Sequence, residues 1–465
     1  MLAAVDAQAP DRSKPPSLAP PLPLKLPPIE TRTLSNGLAV WLVESHEVPI
    51  VQLSLVVRAG GAEDPPGRYG TASFTAAMLD EGAGNRSALE IADAAELIGA
   101  ELTAGSSFDG SAVRLNVPVQ QLDQGLPIVT DVAARPTFPD REIERLRMER
   151  LTTLLQARDD PSSIAGMAFA RLLFGPMHRY GTGLIGTEPT LKALNGNDFR
   201  AFHAASYHPA NSILLVVGDI TAEAVLPKLE RTFGQWKSNP PATKGTELPV
   251  PPQPRARQVY VVDKPDAEQS QIRIGWIGVP RSSPDYFSLL VLNTVLGGSF
   301  TSRLNQNLRE THGYAYGASS AFDMRRSAGP FVAAAGVQTD KTAEALREFF
   351  NELEAIRKPI DPAELTKAKN YIALGFPAEF ESSTDLSRRL EELAVYSLPM
   401  NYYEQYIARV LAVSQEDVRR AAEKYIHPSQ AIVVVVGDRK TIEPGVRALN
   451  LGPVTVMSVA EAIGN

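Results

Sequence analysis

A repeat constrains this chain more than any other feature. His208-Pro209 leads into Val216-Val217-Gly218-Asp219, and His427-Pro428 leads into Val435-Val436-Gly437-Asp438, all six residues at one offset of 219 positions. Self-similarity in a fixed register marks a duplicated unit. Each copy places an apolar run before its Gly-Asp, Ile213–Val217 in one and Ala431–Val436 in the other. Both have the size of a buried strand and fall far short of a membrane span. The 465 residues, 44% hydrophobic and 21% charged, supply two large packed domains.

Proline divides the chain. Residues 1–28 carry eight prolines and read as a disordered, extended leader. Its start, Ala3-Ala4-Val5-Asp6-Ala7-Gln8-Ala9, has the small-residue character of a signal-peptide cleavage region, without a charged or an apolar segment before it. Export to a bacterial periplasm is the expectation, with the cytoplasm as alternative. A second cluster of six prolines, Pro240 to Pro254, reads as a semi-stiff linker. The expected order is leader 1–28, first domain 29–236, linker 237–254 and second domain 255–465.

Within the halves, Asn36-Gly37 signals a type I′ hairpin, and Val51, Leu53, Leu55 and Val57 alternate as a half-buried strand should. Ser87-Ala88-Leu89-Glu90 is a capping box opening a helix that Gly99 closes. Glu101–Phe108 and Ser111–Val117 flank a second hairpin at Asp109-Gly110, and Pro118 ends its second strand. Helices are expected at about 120–134, 140–157 and 162–174, and from Ser283-Pro284 to Leu296, where Gly297-Gly298 interrupts. Strand runs and helix runs are segregated. The fold class is therefore α+β: two duplicated sandwiches, each a mainly antiparallel sheet with helices layered on one face.

Composition excludes several functions. A net charge of −7 and a pI near 5.6 argue against nucleic-acid or anionic-membrane partners. No cysteine means no disulfide, no thiolate metal site and no Cys nucleophile. None of the six histidines has another at i+3 or i+4, and His203 and His208 point to different faces even if both are helical. No Walker loop and no GxSxG elbow occur. Gly181-Thr182-Gly183-Leu184-Ile185-Gly186 matches GxGxxG but follows a helix and the loop around Pro176, so it reads as a flexible loop. Arg325-Arg326 and Arg388-Arg389 read as surface charge. Trp41, Trp236 and Trp276 form no base-stacking pattern.

Several short motifs, in order, carry a resemblance. They are Leu34-Ser35-Asn36-Gly37-Leu38, Gly70-Thr71-Ala72-Ser73-Phe74, Ile185-Gly186-Thr187, Tyr207-His208-Pro209-Ala210-Asn211, and Ser302-Arg303-Leu304 followed by Leu308-Arg309-Glu310. Together with the duplication they make the chain resemble the pitrilysin-like zinc metallopeptidases (inverzincins), of the mitochondrial-processing-peptidase type, over nearly everything after the leader. The resemblance implies that the two domains form half of a clamshell. Active members carry His-x-x-Glu-His on a helix, two imidazoles facing one metal and a Glu serving as base for the bound water. A later helix supplies a third, carboxylate ligand. Here the first helix reads Ser73-Phe74-Thr75-Ala76-Ala77, so Ser73, Ala76 and Ala77 stand at the ligand and base positions, and Thr152-Thr153 falls where the third ligand belongs. The resemblance thus implies no zinc bound by this chain and zinc in a partner subunit.

Leu308-Arg309-Glu310-Thr311-His312-Gly313-Tyr314-Ala315-Tyr316 resembles the family's C-terminal Arg/Tyr element. In the family this pair reaches across the chamber toward the substrate carbonyl. A guanidinium suits carbonyl binding, and a phenol can donate to a developing oxyanion. The implied role is the non-zinc-binding subunit of a heterodimeric zinc metalloendopeptidase, acting on peptides, inactive alone, with Arg309 and Tyr316 as its catalytic contribution. The implied partner is a homologous subunit bearing the intact motif. Gly105, Ser106 and Ser107 lack bulk on a strand whose family equivalent pairs with extended substrate in the zinc-bearing half; with no metal nearby, plain sheet remains the other reading. Two alternatives stay open: a non-enzymatic scaffold, like the respiratory-complex core proteins, and a homodimeric peptide-binding chamber.

Overall fold

A computed structural model describes residues 19–237 and 246–464; residues 1–18 of the leader and 238–245 of the linker lie outside them. The first half holds β1 (Glu30–Thr33), β2 (Ala39–Glu44), β3 (Ile50–Val57), a two-residue hairpin of β4 (Gly82–Ala83) and β5 (Arg86–Ser87), β6 (Glu101–Ser106), β7 (Ser111–Pro118) and β8 (Ser212–Gly218). The second holds β9 (Gln258–Asp263), β10 (Gln269–Ile277), β11 (Ala315–Phe322), β12 (Pro330–Gln338), β13 (Ile432–Gly437) and β14 (Val454–Ser458). Two six-stranded sheets result, ordered β1-β2-β8-β3-β7-β6 and β14-β9-β13-β10-β12-β11. Pairing is mainly antiparallel; β2–β8, β9–β13 and β9–β14 are parallel. The repeat is visible in the register: Leu215 lies opposite Ser54 and Val434 opposite Arg273, residues separated by the same offset in both strands.

The helices start and stop where local chemistry directs. Ser87 and Glu90 close a reciprocal capping box on Ala88–Leu97, and Gly99 follows at φ +62°. Leu122–Ala134, Asp140–Ala157, Pro161–Phe174 and Tyr286–Leu296 match the expected helices. The Asn36-Gly37 turn differs from expectation. Asn36 keeps a negative φ and Gly37 takes +87°, with Gly37 N–H donating to the Leu34 carbonyl at 2.9 Å. This is a three-residue turn closing on a left-handed glycine. Asn36 adopts it because its side-chain amide donates to the Phe233 and Trp236 carbonyls, both at 2.8 Å.

Each half's own helices layer on one face of its sheet, as expected, but the other face is not left bare: a helix from the opposite half covers it. The opposite faces are covered by exchange. In the first sheet Val56, Ile213, Leu215 and Val217 turn away from their own helices and join the second half's core. Helix Ser383–Tyr396 of the second half lies over them and over Ser54, whose hydroxyl meets that of Ser387 at 2.9 Å. In the second sheet Val262, Ile432, Val434 and Val436 receive Ile164, Ala165, Ala168 and Phe169 from helix Pro161–Phe174 of the first half. There Arg273 donates to Ser162 at 2.9 Å. Ser54 and Arg273 are the equivalent positions of the two sheets, so the exchange is reciprocal. A fully buried aliphatic or aromatic side chain contributes about 1.5–3 kcal/mol, so neither half can lose the other's helix without a large penalty.

A polar junction reinforces the seam. Arg326 donates its backbone N–H to an Asp109 carboxylate oxygen (2.9 Å) and its guanidinium to the Asp109 carbonyl (2.7 Å) and Glu63 (3.2 Å). Tyr396 donates to the same Asp109 carboxylate at 2.9 Å. The Arg325-Arg326 pair is therefore not surface charge: both side chains are largely buried between the halves, Arg325 stacked over Phe108. Arg388 is surface-exposed, whereas Arg389 is half-buried and pairs with Glu379 and Glu392. Part of the leader also packs: Leu24 and Leu26, with Ile29 just after it, lie against the second half's core. Among the described residues no helix is long and apolar enough to cross a membrane.

Candidate functional site

The short helix Thr71–Ala77 is held rigidly for a segment of seven residues. Its N-terminus is capped from a distance, the Asp64 carboxylate accepting from Gly70 N–H (2.8 Å) and Ala72 N–H (2.7 Å). A carboxylate there satisfies orphan donors and complements the helix dipole. Asp64 is in turn paired with Arg179 at 2.9 Å, both side chains almost wholly buried. Burial raises the Asp64 pKa, opposed by Arg179 and the two helix amides. Gly70 sits at φ +102°, and a Cβ there would lie 2.5 Å from the Ile185 carbonyl. Phe74 anchors the buried side on Phe199, ring centroids 4.6 Å apart.

On this helix Ala76 is fully buried, and Ala77 packs partly against the core. Ser73 donates its hydroxyl proton toward the Leu184 carbonyl (3.0 Å) and accepts from the Arg150 guanidinium at 3.2 Å. A second Arg150 nitrogen donates to the Ser73 backbone carbonyl at 2.8 Å, and the guanidinium lies 4.6 Å from the Phe74 ring. Burial lowers the Arg150 pKa to about 10, which leaves it cationic at neutral pH. Thr152 and Thr153 are exposed and bond back to the Met148 and Glu149 carbonyls of their own helix, at 2.9 and 3.1 Å. These residues do not fit a zinc ion. Two methyl groups offer no lone pairs, and the one hydroxyl is already engaged by the Leu184 carbonyl and by a fixed cation, Arg150. Among the described residues no group of three or more His, Asp or Glu could hold a metal.

The GxGxxG segment belongs to this site's frame rather than to a flexible loop. A Cβ on Gly181 would lie 1.9 Å from the Gly175 carbonyl, and one on Gly186 would lie 2.2 Å from the Tyr69 carbonyl. Backbone approaches so close that only glycine fits have pinned it against the helix start.

Arg309 sits on a π-helical turn, Gln306–Thr311, a geometry that recurs at functional positions. Its guanidinium lies 4.5 Å from the Phe300 ring and 5.2 Å from the Tyr316 ring, and its Nε is 3.3 Å from the neighbouring Glu310. Tyr316 is 87% exposed near the start of edge strand β11, and Phe300 is 60% exposed. The structure thus brings Arg309 and Tyr316 together at the surface, and among the described residues the ion pair of Arg309 is with its exposed neighbour Glu310. None of their contacts among the described residues reaches the Ser73 helix. Gly105 lies on the other sheet's edge strand, β6, with open space where a Cβ would stand. The Ser106 hydroxyl donates to the Ser107 carbonyl (3.0 Å), and Ser107 donates to the Gly110 carbonyl (3.0 Å), closing the hairpin.

Two residues were missed by sequence reasoning. Phe300 follows the Gly297-Gly298 break, and its aromatic ring in a glycine-rich loop was the signal. Arg150 had a sharper one. Ile143, Leu146, Arg147, Arg150 and Leu154 form the inward stripe of their helix, so two arginines occupy core-facing positions.

Residues 39–169 match the family described as Insulinase (Peptidase family M16), and residues 193–372 match the Peptidase M16 inactive domain. The chain belongs to peptidase family M16. Its curated relatives include the uncharacterized zinc protease YmxG of Bacillus subtilis, 24% identical over 410 residues that cover 88% of this chain and 98% of the relative. An uncharacterized zinc protease of Mycobacterium leprae is 25% identical over 425 residues, covering 90% and 94%. Among solved structures, the peptidase M16 inactive domain from Pseudomonas fluorescens superposes with TM-score 0.81 at 24% identity, covering 88% of this chain and 98% of that one. A protease from Helicobacter pylori gives 0.80 at 22% identity, covering 89% and 100%. The two-domain M16 fold is thereby established.

Proposed function

We propose that this M16 chain is the zinc-free subunit of a heterodimeric metalloendopeptidase and serves a site completed by a homologous, motif-bearing partner. The observation that carries this reading is the coexistence of a metal helix closed by Arg150 with a solvent-facing Arg309–Tyr316 pair. A chain that only scaffolds needs neither an exposed phenol nor a guanidinium clasped between two rings.

In this reading the peptide lies between the two subunits. The Arg309 guanidinium, its plane presented by Phe300 and Tyr316, binds a backbone carbonyl of the substrate. The Tyr316 hydroxyl, which has no hydrogen-bond partner among the described residues, donates to the oxygen on which negative charge develops. The edge of β6 offers unpaired main-chain groups to an extended segment. The partner provides the metal, its ligands and the base. The same proposal places the pair in the periplasm, which cell fractionation checks directly.

The test is reconstitution. Purified alone, the chain should hydrolyse no peptide; mixed with a motif-bearing M16 subunit, it should yield activity with one zinc per pair. Full peptidase activity of the isolated chain sinks the proposal. A stable pair without activity in any substrate screen supports the scaffold reading instead.

A further inference from the structure

A cavity of about 640 Å³ opens on the helical layer of the first half, away from both sites described above. It lies between the ends of helices Leu122–Ala134 and Gly196–Ser206 and the stretch from Arg231 to Lys237. Sequence reasoning separated His203 from His208; the structure brings both to this cavity, because the helix carrying His203 ends at Ser206 and the chain turns back. His203 is committed: its Nε2 is 2.9 Å from the Ala133 carbonyl, and its ring stacks on Tyr207 at 4.8 Å. His208 is not. It is 2% exposed, and no hydrogen bond of good geometry reaches either ring nitrogen among the described residues, the Ala205 carbonyl being the one acceptor close enough to influence the ring. Burial holds its imidazole below the ordinary histidine value, tempered by the nearby Ala205 carbonyl, so the neutral ring offers one N–H. The Thr130 hydroxyl, also buried and lining the cavity, lacks a partner too. Buried polar groups without partners are uncommon and call for an explanation.

The rim explains them. Arg231 and Lys237 line the mouth with no carboxylate partner among the described residues. The one carboxylate in the wall, Asp131, is already neutralised by Arg86 at 2.8 Å and by Arg135 through its Nε at 2.9 Å. The local charge is therefore positive on a protein whose net charge is −7. Trp236 and Tyr207 supply a flat apolar wall. Two separate cations, an imidazole N–H and a hydroxyl suit the three terminal oxygens of a phosphate better than the two of a carboxylate.

We propose that this cavity binds a small organic phosphate, its head between Arg231, Lys237 and His208 and its apolar body along Trp236. The site is independent of the peptidase reading, so either can fail alone. The test is calorimetric titration of the full chain with phenyl phosphate, inorganic phosphate and benzoate. Phenyl phosphate should bind, inorganic phosphate more weakly, and benzoate least. The double variant Arg231→Ala/Lys237→Ala, which alters exposed side chains, should lose about tenfold or more in affinity. His208→Gln should weaken binding with the unliganded melting temperature checked in parallel. No heat with phenyl phosphate at millimolar concentration overturns the proposal, as does binding unchanged in the double variant. Benzoate binding as tightly as phenyl phosphate overturns the head-group assignment.

Discussion

Arg150 grips Ser73 twice, by the hydroxyl at 3.2 Å and by the backbone carbonyl at 2.8 Å. By the resemblance, Ser73 stands where the family motif carries its first histidine; in this proposal Arg150 holds a fixed positive charge beside that position. Restoring the motif by Ser73→His, Ala76→Glu and Ala77→His with Thr153→Glu should confer no zinc while Arg150 remains. Adding Arg150→Leu should permit it. Metal content by mass spectrometry decides, and stoichiometric zinc with Arg150 in place contradicts the account. Arg150→Ala alone should destabilise by about 1.5–3 kcal/mol, the range for hydrogen bonds from a charged donor.

Tyr316 is exposed enough that its hydroxyl can be removed without touching the core. Tyr316→Phe should lower kcat of the reconstituted pair by about 10²–10³, the effect of losing one oxyanion donor. Subunit affinity should be unchanged, and Arg309→Ala should act in the same direction. Unaltered kinetics in both variants remove the assigned roles.

Asp64→Ala should be far more damaging than its distance from any substrate suggests. It strips the cap from the Ser73 helix and leaves Arg179 buried without a counter-charge. Breaking such a pair from one side destabilises by about 3–5 kcal/mol. Urea denaturation measures this directly, and a loss below 1 kcal/mol would mean that water reaches Arg179.

Acid should weaken the fold through histidine. Burial lowers the pKa values of His178, His203 and His427, so the native state resists protonating them. Their contribution is complete above the unfolded value of about 6.5 and is lost as pH falls below it, levelling off beneath the native values. His46 works in the opposite sense, raised first by its hydrogen bond to Asp219, but it is solvent-exposed. The urea midpoint should drop between pH 7.5 and 5.5. His203→Gln should drop less; an equal drop would acquit His203.

Phe169 belongs to the first half by sequence and to the second by packing. A Cβ placed on Gly275 of β10 would lie 2.7 Å from its ring. Phe169→Ala should lower stability by about 3–5 kcal/mol while preserving one cooperative transition. A separate early transition of one half would contradict the exchange.

Much of this architecture was legible because duplication, alternation and capping are local or periodic signals. The Gly-Asp strand ends, the Ser87–Glu90 box and the helices through Leu296 all lie where residue pattern places them. The exchange was not legible: the apolar stripe of Pro161–Phe174 declares that a face is buried, not against whose sheet. The Arg325-Arg326 pair was misjudged for the same reason, since a dibasic step carries no record of Asp109 and Glu63 on the other half. At the site, the lack of ligating side chains at Ser73, Ala76 and Ala77 is visible in the residues themselves. The engagement of Ser73 by Arg150 is known only by its contacts.

The crossed helices make the two halves a single clasped object, like hands with interlaced fingers. Drawing them apart requires both fingers to slip out together, exposing two apolar palms to water. Separating the halves of this chain is therefore costly at both faces at once, which leaves the chain a single stiff body.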